Sequence, residues 1–399
     1  MSIPVAVSPA TRFRKLSRNI NSLTNLLGVD VLAPKLVINY RTWTTIFAIV
    51  NYTGFAVFSI LNNGGDWGVS LKASLMIGGL FHGVAKFLTC LLKHQDMRRL
   101  ILYSQSIYEE YENRGASYHR TLNSNIDRML NIMRIIRNGY AVAFCLMGVL
   151  PLAMLMYDGT RVTMMQYRVP GLPLENNFCY TVTYLIQLVT MVVTGVGFYA
   201  GDLFVLLALS QILTFADMLQ LKISDLNDAL ELKAENRALV AVGAPINEED
   251  RRQYLLIEVI KWHQLFTQYC RTVNSVYYEL IATQVLSMAL AMLLSFCINL
   301  SSFHMPSAIF FVVSAYGMSI YCILGTILEF AYDQVYDDIC NVAWYELRGD
   351  QRKLFALMLR ESQFPYTIQI LGVMPLSVRT ALQIVKLIYS VSMMMMNRT

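Results

Sequence analysis

The stretch MPLSVRTALQIVKLIYSVSMMMM, from Met374 to Met396, decides how the rest of the chain is read. It is an apolar run of 23 residues, opened by Pro375-Leu376-Ser377 and carrying Lys386 and Tyr389-Ser390. A helix rising ~1.5 Å per residue needs about 20 residues to cross the hydrocarbon core of a bilayer, so the run is long enough to span. Only Asn397, Arg398 and Thr399 follow, and the chain is expected to finish at the membrane surface. Two shorter pieces precede it. Asp333 to Glu346 is polar and aromatic and ends in Trp344-Tyr345; Gln351 to Phe364 is an amphipathic basic helix closed by Gln363-x-Pro365.

The whole chain agrees with a membrane reading. It is 55% hydrophobic and only 15% charged, where soluble domains carry about a quarter charged residues. The net charge of +5 is spread over loops with many acids among the bases, which does not point to nucleic acid. No secretory signal is expected: Met1 to Leu27 has Arg12, Arg14, Lys15 and Arg18 but no apolar core or small-residue cleavage site.

Seven windows are apolar enough to span: Trp43–Leu61, Ala73–Leu92, Gly139–Tyr157, Cys179–Leu209, Val276–Leu300, Ser307–Leu328 and Met374–Met396. The expected architecture is an all-α polytopic membrane protein with seven transmembrane helices and a cytoplasmic helical anchor. In order these are an arm (1–42), spans one to four (43–210), anchor helices (211–275), spans five and six (276–328), further anchor helices (329–373) and a last span (374–396). The fourth window is too long for one crossing, since 31 residues make ~46 Å of helix against a core of ~30 Å. It is expected to run on out of the membrane as one helix.

Orientation follows from where the basic residues lie. The arm and the second, fourth and sixth loops hold 25 of the 32 Lys and Arg, against Lys72, Arg161, Arg168 and Arg398 on the other side. The positive-inside bias then puts the N-terminus in the cytoplasm and the C-terminus outside. That is the reverse of a G-protein-coupled receptor, and the chain also lacks Asp-Arg-Tyr after span three and Asn-Pro-x-x-Tyr in span seven.

The fourth loop carries two heptad-type stripes. Leu219, Ile223, Leu226 and Leu230 repeat at 4, 3, 4; after a break at Gly243-Ala244-Pro245, Leu255, Val259, Trp262, Phe266, Tyr269 and Val273 repeat at 4, 3, 4, 3, 4. Such stripes on helices continuous with spans four and five require a partner surface, hence a helical bundle under the membrane.

Inside the spans, His82 and Lys86 share a face at i and i+4, and Asp202 is the acid of span four at similar depth. Intramembrane charge is costly and points to function by default; here a structural Lys86–Asp202 pair is favoured over ion passage. The seven cysteines show no paired spacing and read as buried apolar residues. No enzyme, metal or cofactor constellation is present. There is no phosphate-cradling glycine loop, no His-x-x-x-His or Cys-x-x-Cys, and the five histidines are dispersed.

What remains is a ligand site and a pore. The outer halves of spans two, three, four and six supply Met76, Met154, Tyr157, Tyr184, Gln187, Met191, Phe310, Ser314, Tyr316 and Tyr321. Apolar walls with a few polar groups suit a small organic ligand, and the same residue types also fill ordinary helix contacts. The third loop, with Tyr157, Tyr167, Pro170-Gly171-x-Pro173 and Phe178, is either a lid over this cavity or a plain turn. In the last span Ser390, Met394 and Asn397 fall on one face at spacings 4 and 3.

The order Trp344-Tyr345, then Ser362-Gln363-x-Pro365, then Gly372-x-x-Pro375-Leu376-Ser377, then Lys386 and Tyr389-Ser390, resembles the insect odorant receptors, and more narrowly a ligand-tuning subunit. The loop at 211–275 lacks the large insertion typical of the co-receptor. The resemblance implies an odorant-gated, non-selective cation channel in the plasma membrane of sensory neurons, forming a heterotetramer with co-receptor subunits. Its partners would be a small volatile ligand, membrane lipid and permeant cations. It also implies that four subunits meet through the anchor helices. Met394 would then form an apolar ring near the outer mouth of a central pore, with Asn397 just beyond; tuning subunits usually have Leu at that position. Lys386 would face vestibule water or a neighbouring subunit. A gustatory receptor of the same superfamily should instead show Thr-Tyr…Gln-Phe in the last span.

Overall fold

Among the described residues the chain is ten α-helices, with one 3₁₀ turn and a short hairpin between the last of them. The computed structural model describes residues 8–62, 67–239, 247–364 and 367–396. Asn63-Gly64-Gly65-Asp66, Gly243-Ala244-Pro245, Pro365 and Asn397 lie outside the described residues. Helix α1 (Pro9–Leu26) begins at Ser8, whose hydroxyl accepts from the Thr11 amide at 3.4 Å, with proline in the first turn. It is followed by α2 (Tyr40–Leu61), α3 (Trp67–Leu92), α4 (His94–Tyr111), α5 (Ala116–Asp158), α6 (Asn177–Leu239), α7 (Asn247–Ser301) and α8 (Met305–Cys340). A 3₁₀ turn (Trp344–Glu346) leads to α9 (Gly349–Ser362), strands β1 (Gln369–Ile370) and β2 (Met374–Pro375), and α10 (Val378–Met396).

Helices α2, α3, α5, α6, α7 and α8 are long and apolar enough to cross a membrane, so the protein is a multi-pass membrane protein. Among the described residues α10 falls outside that group. Arg379, Gln383 and Lys386 dilute its apolar character, and it starts four residues later than the apolar run did. Met374 and Pro375 are instead drawn into antiparallel pairing with Ile370 and Gln369. The turn between them puts Leu371 (φ 53°) and Gly372 (φ 70°) in the left-handed region. Tight hairpin turns of this hand need positive φ at both central residues, which accounts for the glycine of the Gly-x-x-Pro-Leu-Ser run.

Helix α6 continues past its membrane window without a break, 63 residues in all, or ~95 Å. Helix α7 does the same in the opposite direction over 55 residues. Their extensions carry the heptad stripes. Leu219, Ile223, Leu226 and Leu230 are buried, as are Val259, Trp262, Phe266, Tyr269 and Val273. Leu256 takes the place expected for Leu255, which is half-buried: the stripe approaches Val259 by a step of three rather than four. The required partner surface lies within this chain, where α1, α4 and the first half of α5 pack around the two extensions. Phe13 stacks on Tyr108 at 4.6 Å, Phe215 on Tyr269 at 4.5 Å, and the Trp262 indole donates to the Tyr111 hydroxyl at 2.7 Å. Lys222 pairs with Glu258 at 2.6 Å and lies over the rings of Tyr111 and Trp262, so its ammonium is buried yet paired. Of the seven cysteines only Cys90, Cys270 and Cys322 are buried; Cys145 and Cys340 are exposed.

Candidate functional site

One carboxylate organises the middle of the span bundle. Asp202 of α6 is 6% exposed and receives donors from four other helices. Oδ1 accepts from Lys86 Nζ (α3), from the Tyr321 hydroxyl (α8) and from Gln284 Nε2 (α7) at 3.1 Å, and Oδ2 accepts from the Tyr140 hydroxyl (α5). Lys86 also donates to the Phe198 carbonyl at 3.1 Å. His82, one turn before Lys86, stacks on the Phe198 ring at 4.8 Å. A buried charge persists only when paired and hydrogen-bonded, and this node meets both conditions for the anion. Sequence reasoning identified Lys86 and Asp202. It missed Tyr140 and Gln284, although a glutamine within an apolar window is itself a signal.

Two cavities adjoin the node. The smaller, about 170 Å³, is lined by Met76, Lys86, Tyr140, Phe144, Met165, Met191, Phe198 and Phe310 among others. The larger, about 570 Å³, reaches His82, Asp202, Met288, Phe310, Ser314, Tyr316 and Tyr321. Tyr140, Ala143, Phe198, Phe310 and Val313 belong to both linings and form the wall between them. The volume of the larger cavity falls within the ~300–1,000 Å³ of small-molecule sites.

The loop between α5 and α6 folds inward over the smaller cavity. Met164, Met165, Gln166, Tyr167 and Val169 are buried. Gln187 holds this segment by accepting from the Met165 amide at 3.1 Å and donating to the Met165 and Tyr167 carbonyls at 2.9 and 3.1 Å. On the far side, the Ser307 hydroxyl donates to Gln166 Oε1 at 3.3 Å. Ser307 is also tied to His304, whose Nδ1 accepts from its amide at 3.4 Å and caps α8. Burial, reinforced by the nearby Lys72 ammonium, pushes the His304 pKa down to about 4, so the cap is neutral at physiological pH.

These positions sort the expected ligand residues. Met76, Met191, Phe310, Ser314, Tyr316 and Tyr321 line a cavity. Met154, Tyr157, Tyr184 and Gln187 do not. Tyr157 is 90% exposed at the end of α5, because the chain turns inward only after Gly159. Met154 is half-buried on the same final turns. Tyr184 donates to the Gly148 carbonyl at 3.0 Å, and Gln187 is consumed by the loop. Tyr167, in the inward-folded loop, packs edge-on at 5.4 Å to Tyr52, which lines the smaller cavity.

The last helix is seated by one side only. Ser377, Thr380, Ile388 and Ser392 are buried against α7 and α8, whereas Gln383, Lys386, Ser390 and Met394 are exposed.

A family model described as 7tm Odorant receptor matches residues 68–389. The chain belongs to this odorant receptor family. Over 391 residues the receptor is 80% identical to "Putative odorant receptor 83c" of Drosophila melanogaster, covering 98% of each chain. It is thus of the odorant receptor type, distinct from the co-receptor, and not an enzyme. Its fold is similar to that of the olfactory receptor OR5 of Machilis hrabei in complex with eugenol. The TM-score is 0.76 at 12% identity, with 98% of this chain and 100% of that one covered. A second OR5 structure gives 0.73 at 11% identity with the same coverage. At such identity the likeness concerns the fold of the receptor, and its side-chain geometry is its own.

Proposed function

We propose that the receptor is the ligand-tuning subunit of an odorant-gated, non-selective cation channel, assembled with co-receptor subunits in the plasma membrane of sensory neurons. A small volatile molecule occupies the cavities beside the Asp202 node, and α10 lines the shared pore. The uncovered Gln383–Lys386–Ser390–Met394 face of α10 is the observation that carries this reading. A polar and apolar stripe of that kind, left bare by the subunit's own helices, suits a helix facing water in a larger assembly. Met394 supplies the apolar constriction that excludes ions by dewetting when narrow. In this arrangement the arm and the α4, α6, α7 and α9 extensions are cytoplasmic, as the basic-residue asymmetry supports. The exposed Leu354 and Leu357 of α9 face neighbouring subunits there.

The deciding experiment is current recording across a panel of volatiles, with and without the co-receptor and with G-protein signalling blocked. Odorant-evoked current that requires both chains and survives the block is expected. Current abolished by the block would sink the channel reading. Labelling of intact cells at residue 399 and not at residue 1 checks the orientation.

A further inference from the structure

The larger cavity is not enclosed by protein on every side. From Asp202, Tyr321 and Met288 in the interior its lining continues outward to Ile135, Val142 and Leu146 of α5 and Val312 of α8. These last four are exposed, Val312 to 65%. Apolar side chains exposed along membrane-crossing helices face hydrocarbon, so the cavity opens sideways between α5 and α8. Only 6% of the most apolar window of α5 is buried, which places that helix at the rim of the bundle.

One side chain crosses this opening. The Tyr316 ring lies over Gly139 so closely that a Cβ there would collide with it, and its hydroxyl donates to the Ile135 carbonyl at 3.0 Å. Just beyond the opening, α5 presents the exposed Arg134; Arg137, also exposed, falls on the far side of the helix from Ile135, Val142 and Leu146. Arg134 donates to Asn131 Oδ1 at 3.1 Å, and among the described residues no carboxylate pairs with either guanidinium. An apolar slot leading inward, with a guanidinium at the end of the span, matches a phospholipid in both parts. The tail replaces contacts that an empty void forfeits, and the phosphodiester meets guanidinium donors at interface depth.

We propose that the α5–α8 opening is a lipid site: one acyl chain of a bilayer phospholipid enters the larger cavity past Tyr316, its phosphate held by Arg134. This goes beyond the channel reading: the volatile proposed for the same cavity displaces the chain when it binds, and occupancy by the chain is measured without current.

The test uses purified full-length receptor in nanodiscs of phosphatidylcholine with a diazirine at the middle of one acyl chain. After photolysis, adducts are mapped by mass spectrometry. Adducts on interior residues such as Met288, Ser314, Gly317 or Tyr321 are expected in addition to those on Val142 and Val312. Labelling confined to the outward residues would overturn the proposal. Tyr316→Phe removes the bond to Ile135 and should raise interior labelling about five-fold, the scale of one hydrogen bond. Arg134→Gln should lower it about five-fold, with outward labelling unchanged, whereas Arg137→Gln on the far face of α5 should leave it in place. Interior labelling indifferent to Tyr316→Phe and Arg134→Gln would overturn the assignment of latch and headgroup site. The variants change exposed or half-exposed groups, and the wild-type map alone decides whether a chain enters.

Discussion

Gly325 of α8 lies directly against the backbone carbonyl of Leu376, leaving no room for a Cβ. The neighbouring Thr326 hydroxyl accepts from the Val378 amide at 2.9 Å, and Leu376 donates to the Ile368 carbonyl at 2.8 Å. The start of α10 is thus docked on α8 backbone to backbone. Gly325→Ala should force the two apart. We expect a loss of ~1–3 kcal/mol, the usual range for overpacking, read as a lower Tm of the purified receptor. A change of Thr326→Val, which removes the amide's partner and the hydroxyl's own bond to the Cys322 carbonyl but adds no bulk, should be milder. Equal Tm for Gly325→Ala and wild type would show that the seat yields freely.

The Asp202 node predicts an asymmetry between its two charges. Lys86→Met leaves the carboxylate with three neutral donors, from Tyr140, Tyr321 and Gln284. Asp202→Asn leaves the ammonium with the Phe198 carbonyl and no counter-charge. Breaking a buried pair costs ~3–5 kcal/mol, and Asp202→Asn should sit at the upper end. The double variant should recover part of the loss. Strictly additive damage in thermal unfolding would exclude the coupling.

Ligand sensitivity should follow the cavity linings. Phe310 belongs to both linings and Met191 to the smaller. Phe310→Ala and Met191→Ala are expected to shift half-maximal odorant concentrations by ~5- to 160-fold, equivalent to ~1–3 kcal/mol of lost apolar contact. Tyr157→Ala, at a side chain in the open, should leave them in place. The reverse ranking at matched surface expression would move the ligand elsewhere.

The pore face makes a separate prediction. In co-receptor complexes Met394→Ser should raise ligand-independent current by weakening an apolar constriction. Met393, turned about 100° around the helix, should tolerate the same change. Matching leaks from both variants would mean that the pore face is misassigned.

The His304 cap predicts an acid effect. Its folded pKa, about 4, lies below the ordinary histidine value of 6.5, so the folded state favours the neutral imidazole. The stability it contributes is fully present above pH 6.5 and declines as pH falls through 6.5 towards 4. Tm of the purified receptor should drop over that window, and His304→Asn, which caps without titrating, should flatten the drop. An unchanged pH profile in the variant would locate the acid sensitivity at another group.

Much of the fold was legible because it rests on length and period. Span windows, the run-on of α6 and α7 and the buried stripes at Leu219–Leu230 and Val259–Val273 are properties of one helix at a time. The Lys86–Asp202 pair was legible because charge in hydrocarbon needs an opposite partner, and few were available. Cavity residues were harder. Tyr157 and Tyr167 are both aromatic residues bordering one loop, yet only the backbone path after Gly159 decides that the second is buried and the first exposed. Tyr140 and Gln284 depend on how five helices rotate against one another. The start of α10 was obscured because Met374 and Pro375 are apolar but belong to a hairpin.

Helix α6 carries no proline between Asn177 and Leu239, and its glycines, Gly195, Gly197 and Gly201, all precede Asp202. From Asp202 to its far end runs ~55 Å of helix, and a tilt of about 3° at Asp202 would sweep that end through about 3 Å. Any tilt of α6 at the node is therefore largest among the helices packed around its extension, α1, α4 and the first half of α5.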